Sequence, residues 1–262
     1  MKDWQTVFDE ERACVIVPTY NNERTIVDVL QRIRAYTHNI IVVNDGSTSA
    51  TMQTISAAFD ASEMPEIVDY TPNKGKGYAL MQGFRRAMEL GYRFAVTIDS
   101  DGQHFPEDIP TVMDGHLTNK NALVVGSRNL TADNMPTKNT FANKFSNFWF
   151  HLQTGIRLED TQSGYRVYPL EQINLKWPIT PRYEAELELL VFSAWRGVPV
   201  TSVPVRVYYP PEGERVSHFR PFWDFFRISV LNSILTFGAL LYYLPVKLLR
   251  SIHLLPSNRV TS

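Results

Sequence analysis

The sequence predicts an α/β fold: a mostly parallel sheet flanked by helices, with a C-terminal membrane-associated helical tail. Three observations point there. Short strand-like runs alternate with longer stretches whose apolar residues recur at helical spacing. The alternating units have the length of strand–helix crossovers, which implies parallel pairing with both sheet faces covered. A chain of 262 residues is also long enough to bury a substantial core, and one domain is expected.

The elements follow in order. Cys14–Val17 ends in Pro18 and reads as a strand, followed by a helix through Ile26, Val29, Leu30 and Ile33. The alternation continues with a strand at Ile40–Val43, a helix near Met52–Phe59, a strand at Glu66–Tyr70, a helix at Tyr78–Leu90 and a strand at Phe94–Ile98. Pro106 suits the first turn of another helix, which leads to the strand Leu123–Val125. The regular pattern then breaks. Asn129–Lys138 is polar and turn-forming, as loops that close over sites often are. Thr140–Leu152 reads as an aromatic-rich helix, and late strands at Gly164–Tyr168 and Val198–Val207 flank a helix at Glu184–Trp195. The expected organisation is an N-terminal extension (1–12), a catalytic domain (13–212) and a basic and apolar tail (213–262).

A formal net charge of −1 and a pI near 6.6 provide no global basic field, which argues against a nucleic-acid partner. Cys14 is the only cysteine, so an intrachain disulfide and a cysteine metal cluster are excluded and a reducing compartment is expected. Met1–Arg12 is polar and acidic, without the features of a secretory signal.

In an open α/β sheet, ligands bind beyond the carboxyl ends of the strands. Three such ends are polar here: Pro18-Thr19-Tyr20-Asn21, Asn44-Asp45-Gly46-Ser47 and Asp99-Ser100-Asp101-Gly102-Gln103-His104. Asp99 and Asp101 alternate with Ser100, so on an extended backbone both carboxylates point the same way, toward a hard cation and a diphosphate. Gln103 is placed to complete that shell. A solvated turn is the plainer reading of an isolated pair of this kind. Gly75-Lys76-Gly77 does not make a dinucleotide fingerprint, because Leu80 stands where the third glycine belongs and the motif follows the third strand. His104 reads as a hydrogen-bonded wall of the site.

Together with Asn73-Lys74-Gly75-Lys76-Gly77, Gly126-Ser127-Arg128 and Ser163-Gly164-Tyr165-Arg166, these segments resemble the ordered motif series of family 2 glycosyltransferases. The resemblance runs from about residue 13 to 209 and is strongest to the dolichyl-phosphate mannose synthase branch. It implies a Rossmann-like fold of the glycosyltransferase A type and inverting transfer from a GDP- or UDP-linked sugar to a polyprenyl-phosphate acceptor. Pro18, Tyr20 and Asp45, with Asp99, Ser100 and Asp101, would bind the nucleotide sugar. Asp99, Asp101 and Gln103 would hold Mg²⁺ or Mn²⁺. Asp101, Arg128, Asp160 and Arg166 form the candidate catalytic set, the two arginines receiving the acceptor phosphate, which a guanidinium fork suits. Asn22 intervenes before Glu23, which departs from the family's spacing, and Asn44 replaces the first of two aspartates. Lys138 and Lys144 stand in a helix where the synthases are richer in arginine.

Asp160 carries two readings. A hydroxyl acceptor, such as that of a glycolipid, would need it as general base, whereas a phosphate acceptor needs none. A turn-capping role is the structural alternative. His218 is a candidate diphosphate contact from a late loop. A non-catalytic sugar-nucleotide-binding scaffold is the reading outside enzymes.

Phe219–Leu249 is rich in Phe, Leu, Ile and Tyr, with Arg220, Arg227, Lys247 and Arg250 at its ends, a composition that favours a membrane interface. Its uncharged part, Ile228–Val246, is short for a span and is interrupted by Asn232, Ser233, Thr236 and Pro245. An interfacial helix or hairpin is favoured over one membrane segment, at the cytoplasmic face of the cell membrane, with a buried helix pair or a homo-oligomer contact as the alternative.

Overall fold

The computed structural model describes residues 2–128, 137–175, 180–209 and 221–251. Seven strands form one sheet in the order β3-β2-β1-β4-β6-β5-β7. They are β1 (Ala13–Thr19), β2 (Ile40–Asp45), β3 (Glu66–Tyr70), β4 (Phe94–Thr97), β5 (Leu123–Arg128), β6 (Arg166–Pro169) and β7 (Val200–Val205). All pairings are parallel except those of β6, which runs antiparallel between β4 and β5. The alternation seen in the sequence fails at β6 for that reason.

The helices α1 (Trp4–Glu10), α2 (Ile26–Arg34), α3 (Ser49–Ala58) and α5 (Ile109–Thr118) cover one face; α4 (Lys76–Glu89), α6 (Thr137–Thr154), α7 (Glu184–Trp195) and α8 (Pro221–Gly238) cover the other. The side-chain alternation of β1 shows how the sheet divides the core. Ala13, Val15 and Val17 join Phe8, Ile26 and Ile33 on the first side, and Cys14 and Ile16 join Leu80 and Phe84 on the second. Both faces being apolar is what a doubly covered sheet requires.

Residues 1–12, expected as an extension, contribute α1 to the domain itself. Asp3 caps the helix by accepting from the Gln5 N–H at 3.1 Å, and Phe8 is fully buried in the core. α4 and α7 approach closely because Gly77 faces Ala185: a Cβ at Gly77 would lie 2.3 Å from the Ala185 Cβ. The Tyr78 N–H donates to the Pro181 carbonyl at 3.0 Å, which fixes the start of α7 against that of α4.

The C-terminal segment is a continuous helical stretch. α8 passes through one π-helical stretch, Ala239–Tyr243, into α9 (Leu244–Ser251). Leu231, Asn232, Leu235 and Ala239 face inward, and α8 packs on α6 and α7. The Gln153 side-chain amide of α6 donates to Asn232, and Trp195 of α7 stacks on Tyr243 at 5.5 Å. The hairpin alternative for the tail is thereby replaced by one helix docked on the domain.

Candidate active site

The polar strand ends meet at one edge of the sheet. The parallel strands β1, β2 and β4 bring their carboxyl ends there, and antiparallel β6 brings its amino end to the same edge. Ser163-Gly164 therefore stands beside Asp99, with the Thr97 hydroxyl donating to the Gly164 carbonyl at 2.7 Å. Arg128 ends β5 nearby, since Val125 pairs with Arg166.

Asp99 and Asp101 occupy different environments. Lys76, at the first turn of α4, places its ammonium 2.7 Å from Asp99 Oδ1 and 2.9 Å from Oδ2, and 3.2 Å from Oε2 of Glu186 on α7. Burial raises the Asp99 carboxyl, but the ammonium outweighs it and holds the group below the usual carboxylate range. Asp101 has no such partner among the described residues; burial and then repulsion from Asp99 push it up to about 6. Its Oδ1 accepts the Gln103 N–H at 2.9 Å, so Gln103 contributes a main-chain contact that shapes the turn.

Several expected contacts are redirected. Asp45 was expected among the nucleotide-sugar residues. It instead accepts from the Asn73 amide and from the N–H groups of Lys74 and Gly75, each at 2.8 Å, and so shapes the 73–75 loop. Gly46 makes that approach possible, with φ of +68° and a would-be Cβ only 2.5 Å from the Asn73 nitrogen. Ser100, expected at the nucleotide sugar, is a strut: its hydroxyl donates to the Pro18 carbonyl at 2.9 Å and accepts from Asn22 at 2.8 Å. Asn22, the residue that departs from the family spacing, thus ties two strand ends together, and Glu23 is exposed. Pro18 is buried in β1, and Tyr20 is half-buried just beyond it.

Arg166 is also corrected. It is fully buried, donating to the carbonyls of Ser163, Thr161 and Glu186 at 2.7, 2.9 and 2.7 Å and to the Tyr168 hydroxyl at 3.1 Å. A guanidinium turned inward onto main-chain carbonyls frames the 161–166 turn.

Arg128 and Asp160 form one unit. The Arg128 Nε and Nη2 donate to the two Asp160 oxygens at 2.5 and 2.9 Å, in a bidentate fork. Asp160 is fully buried and also accepts from its neighbours Asn143 at 2.6 Å, the Gln162 N–H at 3.1 Å and the Arg128 N–H at 3.2 Å. Burial raises its carboxyl, yet the Arg128 hydrogen bond and charge bring it below the ordinary value, which makes it a weak base.

His104 packs on Tyr165 with ring centroids 5.3 Å apart, and burial pushes its pKa down to about 4. It was expected as a hydrogen-bonded wall, but its Nδ1 is buried with no hydrogen-bond partner among the described residues, and its contact is the packing on Tyr165. Lys144 is exposed. The side chain of Lys138, His218 and the loop at 129–136 lie outside the described residues.

Two site residues escape motif reading: Lys76 as the partner of Asp99, and Glu186. The signal for Glu186 is the segment Glu184-Ala185-Glu186-Leu187-Glu188-Leu189-Leu190, three carboxylates in a helix otherwise fit for the core.

The chain belongs to glycosyl transferase family 2, whose model matches residues 14–168. It is 30% identical over 218 residues to a UDP-N-acetylglucosamine–dolichyl-phosphate N-acetylglucosaminyltransferase of Methanococcus voltae, covering 74% of this chain and 85% of that protein. It is 28% identical to a polyprenol monophosphomannose synthase of Mycolicibacterium smegmatis, covering 78% and 80% respectively. Among solved structures, glucosyl-3-phosphoglycerate synthase from Mycobacterium tuberculosis, in complex with Mn²⁺, UDP-glucose and phosphoglyceric acid, superposes with a TM-score of 0.63. It is 19% identical and covers 90% of this chain and 82% of that one, a likeness of fold.

Proposed function

We propose that the protein transfers a sugar from a GDP- or UDP-linked donor to a polyprenyl phosphate at the cytoplasmic face of a membrane, inverting the anomeric configuration. The observation that carries this reading is the docking of the apolar helix α8 against α6 and α7. α6 provides Asn143 to the Arg128–Asp160 unit, and α7 provides Glu186 beside Asp99. A helix that meets lipid is thus one layer from both halves of the site. The printed activities of the two relatives, each acting on a lipid phosphate, support the same acceptor class.

The donor set suits a divalent cation. Among the described residues Asp101 pairs with no cation, and Asp99 is shared with Lys76. No group of three acidic, His or Cys side chains forms a cage among the described residues. One or two carboxylates supplemented by diphosphate oxygens is the usual setting for Mg²⁺ or Mn²⁺, and the fold neighbour holds Mn²⁺ with its donor. When bound, the cation would supply electrostatic stabilisation of the departing nucleotide diphosphate. Asp99, Asp101 and Gln103 remain the residues proposed to hold it.

On this chain's side, Arg128 presents the acceptor phosphate, oriented by the bidentate grip of Asp160. The phosphate is already ionised at neutral pH and needs no base. Pro18 and Tyr20 border the nucleoside, and the 73–75 loop shaped by Asp45 closes the same end. The hydroxyl-acceptor alternative loses its support, because its proposed base is a five-fold hydrogen-bonded carboxylate with a lowered pKa.

The test is transfer of radiolabelled sugar into an organic-extractable lipid by the purified full chain, with a panel of UDP- and GDP-sugars, polyprenyl phosphate, and Mg²⁺ or Mn²⁺ against chelator. A mild-acid-labile, cation-dependent product is expected. Donor binding without lipid product would overturn the acceptor assignment.

A further inference from the structure

We propose that Glu186 reads the donor sugar, its Oε1 accepting a hydrogen bond from a ring hydroxyl, which makes it a specificity-determining residue. The inference rests on the site being a nucleotide-sugar site.

Glu186 lies in the first turn of α7, a helix whose neighbours Ala185, Leu187, Leu189 and Leu190 are core residues. It is 7% exposed. A carboxylate in such a place is retained at a cost unless its oxygens are partnered. Oε2 has the Lys76 ammonium at 3.2 Å, whereas Oε1 is buried with no hydrogen-bond partner among the described residues.

Gly164 shows where that oxygen points. A Cβ built there would lie 2.8 Å from Lys76 Nζ, 3.0 Å from Glu186 Oε1 and 3.2 Å from Asp99 Oδ2. Three charged side-chain ends therefore converge on one spot against the Gly164 main chain, too tight for any side chain at 164 unless they shift. That spot adjoins Asp99, at the diphosphate end of the proposed donor. The next group along a nucleotide-diphosphate sugar is the sugar ring.

The chemistry selects a hydroxyl. A carboxylate oxygen whose partner oxygen is held by the Lys76 ammonium accepts, and needs a donor. The Lys76 ammonium repels a second cation from the same spot, which disfavours a metal at Oε1. A buried acceptor built for a hydroxyl discriminates strongly against an analogue that lacks it, because the oxygen is then left unpaired.

The experiment is calorimetric binding to the full chain of the nucleoside diphosphate alone, of the donor sugar nucleotide, and of its ring-deoxy analogues. Wild type is compared with Glu186→Gln and Gly164→Ala. The alanine methyl crowds the shared spot against side-chain ends that can move, and keeps the carboxylate should Glu186→Gln fail to fold. Both variants are expected to bind the diphosphate within about twofold of wild type and the sugar nucleotide at least about tenfold more weakly. One deoxy analogue is expected to lose affinity for wild type but to bind Glu186→Gln no worse than the parent sugar nucleotide does. Equal weakening of diphosphate and sugar nucleotide would reduce Glu186 to a support for Lys76 and Asp99, and unchanged hydroxyl preference in both variants would also refute the idea. A wild-type chain that binds neither ligand would instead overturn the nucleotide-sugar reading on which it rests.

Discussion

Asp99 and Asp101 are two residues apart, yet Lys76 neutralises one and leaves the other to carry the cost of burial. Exchanging Asp101 for Asn is expected to lower turnover on the order of 100-fold while leaving the fold intact. Stability should respond to pH. The Asp101 carboxyl sits at about 6 in the folded chain, above its ordinary 3.8, so the folded state retains a proton that the unfolded state has lost. Stability from this group therefore falls as pH rises from 3.8 through about 6, and the Asn variant escapes that fall. In chelator, its melting temperature relative to wild type should increase between pH 4 and pH 7; a constant difference would contradict the assigned environment. Asp160 behaves oppositely. Its pairing with Arg128 holds the carboxyl low, so its contribution is present above the ordinary carboxylate range and lost as pH falls below it. Asp160→Asn breaks a buried pair and should cost about 3 kcal/mol in urea denaturation. Lost turnover with full stability would return Asp160 to the role of base. The residue types of Asp45, Ser100, Arg128, Asp160 and Arg166 were all visible as candidates. Their directions were not, because an arginine facing a phosphate and one facing main-chain carbonyls are the same letter.

The contact between α4 and α7 is what brings Lys76 and Glu186 together. Gly77 has no room for a side chain, with Ala185 Cβ and the Arg182 carbonyl 2.3 and 2.7 Å from a would-be Cβ. Gly77→Val should force α7 away and cost at least about 1–3 kcal/mol by overpacking. Chemical denaturation measures the loss, and donor binding should fall with it. The sequence called for strands and helices at nearly every place they occur, since periodicity reports burial directly. It missed α1, a short helix in a polar segment anchored by Phe8, and it could not assign β6 its antiparallel direction. Strand direction depends on where the chain returns to the sheet, and local pattern carries no record of that.

The whole molecule presents an apolar flank. Val230, Ile234, Phe237, Leu241 and Leu248 recur at helical spacing along α8 and α9 and are exposed, as is Phe148 on α6. The helical stretch Phe226–Leu249 has 24 residues, with a mean hydropathy of 1.5 over its most apolar window, so length alone would let it cross a bilayer. Its inner side is occupied by the domain, and the proposed place at a membrane interface would satisfy the outer side as well. Replacing Ile234 and Leu241 with Lys should lower partitioning onto phosphatidylglycerol-containing vesicles by at least about tenfold per residue, with donor binding retained. Unchanged vesicle binding with a dissociated oligomer would identify the flank as a contact between copies. The order of acidic strand ends, their spacing after apolar runs and the apolar tail were already decided by the sequence, because burial and chain direction leave periodic marks. Lys76 on Asp99, the open oxygen of Glu186, the inward turn of Arg166 and the docking of α8 were decided only by the tertiary structure, because each joins residues far apart in the chain through contacts that no local pattern records.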